Sequence, residues 1–298
     1  MFERTLWYSD LRNDCYAAGF EFLGTCVFLI MSLGTAQSLA VMNAAKPEAT
    51  LSTSSDYMFV SAGFGLALLV AAWLFFRVSG ALFNPNVSTA LALVGAISPH
   101  RAILYIVAQM VGAICAAAVV SGLMPGAIAF NTTPSIGINK AQALFIEMCV
   151  TAFLCFAVLM LAVEKHSTTP FAPLWSIPLT GGAVNTARAF GPAVVSGHFG
   201  PAHWVYWLGP TLGSVLASAV YIIVKRSQYW TLAPDQDATD PRKSLSGVLL
   251  TGSSPTSPNT LGGARDSYVD SGVIIMQRAP DPAIRAEDGQ NFHRDDLV

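Results

Sequence analysis

The length of its apolar runs constrains this chain more than any other feature. A bilayer's hydrocarbon core is about 30 Å thick, and about 20 apolar residues of helix are needed to cross it. Five stretches reach that length, roughly 17–40, 58–76, 102–123, 141–163 and 204–224. Two more, 84–94 and 185–195, are about half as long. Each of these opens on an asparagine, Asn84 or Asn185, a few residues after a glycine. At membrane depth every backbone N–H and C=O needs a partner inside the protein, so a half-span must be buried against protein or line a cavity. The pattern predicts an all-α integral membrane protein whose two re-entrant half-helices enclose a path.

Charge supports this. Lys, Arg, Asp and Glu make up 11% of the chain, against about 25% in soluble domains. Sixteen of those 34 residues lie beyond position 226. The organisation expected is a short N-terminal segment (1–16), a membrane-embedded channel-like domain (17–226), and a polar, disordered tail (227–298) rich in Ser, Pro, Gly, Asp and Thr. The formal net charge of −2 gives nucleic acid no basic surface to bind. The five cysteines have no metal-ligand spacing. No nucleophile–base pair or metal cluster is visible, so neither an enzyme nor a cofactor is expected. Glu3, Arg4, Asp10, Arg12 and Asp14 precede the first span, unlike a signal peptide. That span is expected to insert and stay.

Basic residues set orientation. Arg4, Arg12, Arg77, Arg101, Lys165, Lys225 and Arg226 fall on one side of the membrane, with Lys46 and Lys140 on the other. Both termini are therefore expected in the cytoplasm, with the plasma membrane as the expected location. Asn131-Thr132-Thr133, an N-glycosylation sequon, falls in a loop that this topology puts outside.

The halves of the chain resemble each other. Glu21 and Thr25 in the first span match Glu147 and Thr151 in the fourth, and Ser79–Asn84 matches Thr180–Asn185. Gly112 lies 28 residues after Asn84, and Gly213 lies 28 after Asn185. Halves with odd numbers of spans are inverted in the membrane, so the half-helices meet near the midplane from opposite sides. The repeat is uneven. Glu21 to Asn84 spans 63 residues, but Glu147 to Asn185 spans 38. Only about 171–179, which includes Pro173 and Pro178, is available for a helix matching the second span. Nine residues reach about 13.5 Å at 1.5 Å per residue, so the fifth span looks truncated.

Over roughly 17–224 the chain resembles the aquaporins of the major intrinsic protein family. Thr180-Gly181-Gly182-Ala183-Val184-Asn185-Thr186-Ala187-Arg188-Ala189-Phe190-Gly191-Pro192 is similar to the family's TGGxxNPARxFGP loop. Ser79-Gly80-Ala81-Leu82-Phe83-Asn84-Pro85-Asn86 is similar to its SGxxxNPA loop. Both triplets depart from Asn-Pro-Ala: the first reads Asn84-Pro85-Asn86 and the second Asn185-Thr186-Ala187. The resemblance implies an aquaporin-like inverted repeat, assembled as a homotetramer with one pore per subunit. It also implies pore-facing amides on Asn84 and Asn185. Arg188, the only charged residue between Lys165 and Lys225, would share a filter with Phe64 and Gly182. Glu21 and Glu147 would support the pore loops by accepting hydrogen bonds from their backbones. Gly112, Gly122, Gly209 and Gly213 are read as helix-packing positions.

The function implied is passive conduction of water, with hydrogen peroxide or another small neutral solute as a further candidate. Selection by pore diameter, hydrogen bonding and an arginine or half-helix barrier is described for aquaporin-type pores themselves. Ala189 follows the arginine where glycerol-conducting relatives tend to carry Asp, which favours water. Two alternatives stay open. One is a glycerol or small-solute facilitator of the same fold. The other is a non-conducting regulatory or splice-variant membrane protein, suggested by the incomplete fifth span.

Overall fold

The computed structural model describes residues 11–45, 54–163 and 182–229. All regular structure among them is helical. Helix α1 runs Leu11–Ala44 and α2 Ser54–Ser79. The first half-helix, α3, is Pro85–Leu93. Then come α4, Pro99–Leu123, and α5, Lys140–Val158, which ends in a π-helical turn at Leu159–Val163. The second half-helix, α6, is Thr186–Ser196, and α7 is Val205–Arg226.

Local chemistry explains most of these boundaries. Asn84 caps α3 by accepting from the Asn86 N–H, with Pro85 at the first helical position. Ser98 and Pro99 open α4 in the same way. Asn139 and Gln142 form a reciprocal capping box at the start of α5. Asn185 caps α6, and Gly197 closes it in the left-handed conformation at φ 65°.

The five long apolar stretches are all helices long and apolar enough to cross a membrane, and each extends beyond the run read from hydropathy. Helix α1 starts at Leu11 rather than near 17. Asp14, fully buried, pairs there with Arg101 at 2.6 Å and His100 at 3.1 Å. This ion cluster fastens the start of α1 to the start of α4. The fifth-span reading falls on 164–181, outside the described residues, as does the tail beyond 229.

Packing follows an inverted repeat. Helix α1 packs on α4 as α5 packs on α7, and half-helix α6 lies on α4 as α3 lies on α7. Small residues set the closeness of these contacts, as expected where lipid supplies no hydrophobic drive between helices. A Cβ on Gly112 would sit 2.8 Å from the Phe22 carbonyl oxygen, and one on the repeat-equivalent Gly213 would sit 2.5 Å from that of Met148. Gly209 is similarly tight, 3.0 Å from the Leu144 carbonyl. Gly122 differs: among the described residues a Cβ there would meet nothing within 4 Å. Gly191 on α6 is packed against the backbone of Ala113 on α4 and holds the second half-helix close to the long helix beside it.

Buried apolar residues form two main clusters. One gathers Phe28, Leu29, Leu33, Phe64 and Phe83; the other gathers Leu82, Val87, Leu91, Tyr105 and Leu159. Both draw on the loop that leads into α3, through Phe83 in the first and Leu82 in the second. Trp73, Leu74, Phe153 and Ile223 point outward, leaving the apolar exterior that lipid requires.

Candidate functional site

The site is built from the loops that lead into α3 and α6. Ala81, Phe83 and Val184 hold left-handed backbones, at φ 54°, 50° and 49°. Outside glycine such a conformation costs roughly 1–2 kcal/mol, so something must hold it. Two buried carboxylates do. Glu21 accepts from the backbone N–H of Leu82 (3.1 Å) and Phe83 (2.8 Å), and from the Ser79 hydroxyl (2.6 Å). Glu147 accepts from the N–H of Ala183 (3.1 Å) and Val184 (2.8 Å). Both lie at most 1% exposed.

Gln109 adds a link invisible in the sequence. Its amide donates to Glu21 (2.9 Å) and to Ser88 (3.0 Å), tying the carboxylate to α3. Tyr105 donates its hydroxyl to the Ser79 carbonyl at 2.8 Å.

So held, the loops meet. Asn84 donates its side-chain amide to the Val184 carbonyl, and Asn185 donates its own to the Phe83 carbonyl, both at 2.8 Å. Each acceptor is one of the left-handed residues just before the opposite cap. The two half-helix N-termini, each carrying about half a positive charge, are therefore brought face to face. An amide has two N–H groups. The crossing bond takes one from each asparagine, whose side-chain oxygens serve as caps.

Beside this waist, Asn86 Oδ1 accepts from the Thr186 N–H at 3.0 Å and from its hydroxyl at 2.9 Å. Pro85 and Ala187 are also buried. Arg188 lies in the first turn of α6, 5% exposed. Its Nη1 donates to the Phe130 carbonyl at 2.9 Å. Its guanidinium carbon lies 5.2 Å from the centre of the Phe64 ring, within cation–π range, and Phe28 holds that ring edge-on at 6.5 Å. Gly182 is buried three residues before Asn185, at φ 56°.

The loop that supplies the Phe130 carbonyl is organised by Gln37. Its amide donates to the carbonyls of Pro125 and Ala127 and accepts from the Ala129 N–H. A lone amide in the apolar first span was the available signal for this role. The sequon lies in the same loop. Asn131 is half-buried and its amide donates to Ser196 at 3.1 Å, and Thr132 is buried. The bond to Ser196 ties the sequon to α6. His203, on the turn before α7, packs edge-on to Phe199 at 4.9 Å. Burial lowers its pKa, so it adds no charge to this end of the molecule at neutral pH.

Comparison with known proteins gives one consistent answer. Residues 12–221 match the family model described as Major intrinsic protein. The chain is similar to aquaporin-1 of Laccaria bicolor, 46% identical over 250 residues that make up 80% of each protein. It is similar to aquaporin-7 of Botryotinia fuckeliana, 44% identical over 245 residues, or 78% of this chain and 54% of that one. Among solved structures, the aquaglyceroporin of Plasmodium falciparum shares the fold, with a TM-score of 0.58 at 23% identity over 73% of this chain and 98% of that one.

Proposed function

The chain belongs to the major intrinsic protein family of passive transmembrane channels, and on that premise we propose that it conducts water. The observation that carries this reading is the reciprocal bonding of Asn84 and Asn185 across the waist. It leaves each amide one N–H beyond the crossing bond. Two such donors at the meeting of two positive helix ends suit a neutral molecule that presents an oxygen lone pair. They orient each passing water and repel cations. Arg188 over Phe64 adds a fixed positive charge beside an aromatic wall. Ala189, 1% exposed, offers no second polar anchor for a polyol, which favours water over glycerol.

Purified protein in lipid vesicles tests the proposal. Stopped-flow light scattering should show osmotic shrinkage several-fold faster than in protein-free vesicles, while glycerol uptake stays at background. Gly182→Trp should remove the water signal in a variant that still elutes from size exclusion like the parent. Equal shrinkage with and without protein would overturn water conduction and favour a non-conducting role. Fast glycerol uptake would move the substrate to polyols.

A further inference from the structure

The two pore loops depart from the Asn-Pro-Ala pattern at positions that answer one another. The inverted repeat relates position 85 to 186 and position 86 to 187. Residue 186 is the first residue of α6, where an N–H has no partner within its own helix. Proline solves this by having no N–H, as Pro85 does in α3. Thr186 restores the N–H at a site 4% exposed, deep in the protein, where an orphan donor is costly. Its acceptor comes from the other half-helix: Asn86 Oδ1, 3.0 Å from the Thr186 nitrogen and 2.9 Å from its hydroxyl. That hydroxyl has one proton, shared between Asn86 and the Tyr206 carbonyl at 3.1 Å. The symmetry-related pair, Pro85 and Ala187, has neither an N–H at the first position nor a polar side chain at the second.

Asn86 is itself anchored. Its N–H donates to Asn84 Oδ1 at 2.9 Å, and its carbonyl accepts from Ser214 on α7 at 2.8 Å. The amide therefore reaches across the waist from a backbone already fixed on both sides.

We infer that Asn86 and Thr186 form one interlocked positioning pair, in which the first half-helix supplies the acceptor that a non-proline second half-helix requires. The pair ties the two N-termini directly, alongside the two asparagine bonds. For its consequence in conduction, this inference rests on the channel reading above. The geometry also sets the sign of each single change. Asn86→Ala strands the Thr186 N–H. Thr186→Pro removes both donors and drives the proline ring toward Asn86 Oδ1. Making both changes restores a pair that needs no polar contact.

A double-mutant cycle tests this on the full chain. Four proteins are compared in detergent and in vesicles: the parent, Asn86→Ala, Thr186→Pro and the double variant. Each single change should lower Tm by about 2–8 °C, and the double variant should return to within about 2 °C of the parent. Water permeability per protein should fall several-fold in each single variant and recover in the double, which a general loss of stability would not produce. Thr186→Val, which keeps the N–H, should fall between parent and Thr186→Pro. Additive losses in the double variant, in Tm and in permeability, would overturn the pair. A parent that conducts no water removes the channel reading, and the Tm cycle still decides the pair on its own.

Discussion

Glu147→Gln is expected to unfold some 6–12 °C below the parent in detergent, a change of about 3 kcal/mol at the usual size scaling. The substitution preserves volume and shape. It replaces one carboxylate oxygen, buried and bonded to a backbone N–H, with an NH₂ group that can only donate. Ala183 and Val184 both offer N–H groups to the carboxylate, one to each oxygen. Whichever way a glutamine is turned, one of the two N–H groups loses its acceptor and meets another donor. The lost bond is charge-assisted, so it is among the stronger ones. The two bonds together also hold Val184 in its left-handed conformation, and the Val184 carbonyl receives the Asn84 amide. Loss of the bond should therefore reach the waist. Thermal unfolding followed by size-exclusion fluorescence measures it. A glutamine variant as stable as the parent would mean that the loop does not depend on two acceptor oxygens.

Arg188→Val should raise proton leakage by about a hundredfold and admit glycerol, while water flow persists. Arg188 is the charged side chain of the first turn of α6, near the crossing asparagines. With an effective dielectric of about 20, a unit charge about 6 Å from a passing cation contributes about 3 kcal/mol. That corresponds to a factor of about 100 in rate. Removing the guanidinium also removes bulk beside the Phe64 ring, which opens space for glycerol or urea. The Phe130 carbonyl loses a donor as well, so a stability loss must be separated from a filter effect. Arg188→Lys does this, because it keeps the charge and changes the geometry. A pH-sensitive dye trapped in vesicles reads proton flux, and light scattering reads water and glycerol. Proton and glycerol rates unchanged in Arg188→Val would remove Arg188 from the filter.

Much of the architecture was open to direct reading because its causes are local. Apolar runs of membrane length became α1, α2, α4, α5 and α7. Asn84 with Pro85, and Asn185, announced half-helices through capping chemistry that acts within three residues. The equal spacing from each asparagine to Gly112 and Gly213 pointed to inverted halves, and those glycines mark matching close helix contacts. Glu21, Glu147 and Arg188 stood out as ionisable residues in apolar surroundings, where a charge demands a partner.

Partner identity lay beyond such reading. Asn86 was visible only as a larger group in place of alanine, and Thr186 only as a lost proline. Their hydrogen bonds join residues 100 positions apart. Gln109 reaches Glu21 across 88 positions, and Arg101 reaches Asp14 across 87. Gly122 looked like the packing glycines but has no neighbour within 4 Å among the described residues, because apolar composition does not say which side of a helix meets a neighbour.

The amino-acid order alone determined that the chain enters a membrane, where its two half-helices start, and that its halves mirror each other. Hydrophobic length and end-capping are properties of short segments. Tertiary structure alone decided which carbonyl receives each asparagine amide, which acceptor serves the Thr186 N–H, and what faces the arginine. Buried polar groups must find partners within about 3 Å, and only the folded chain brings such distant residues that close.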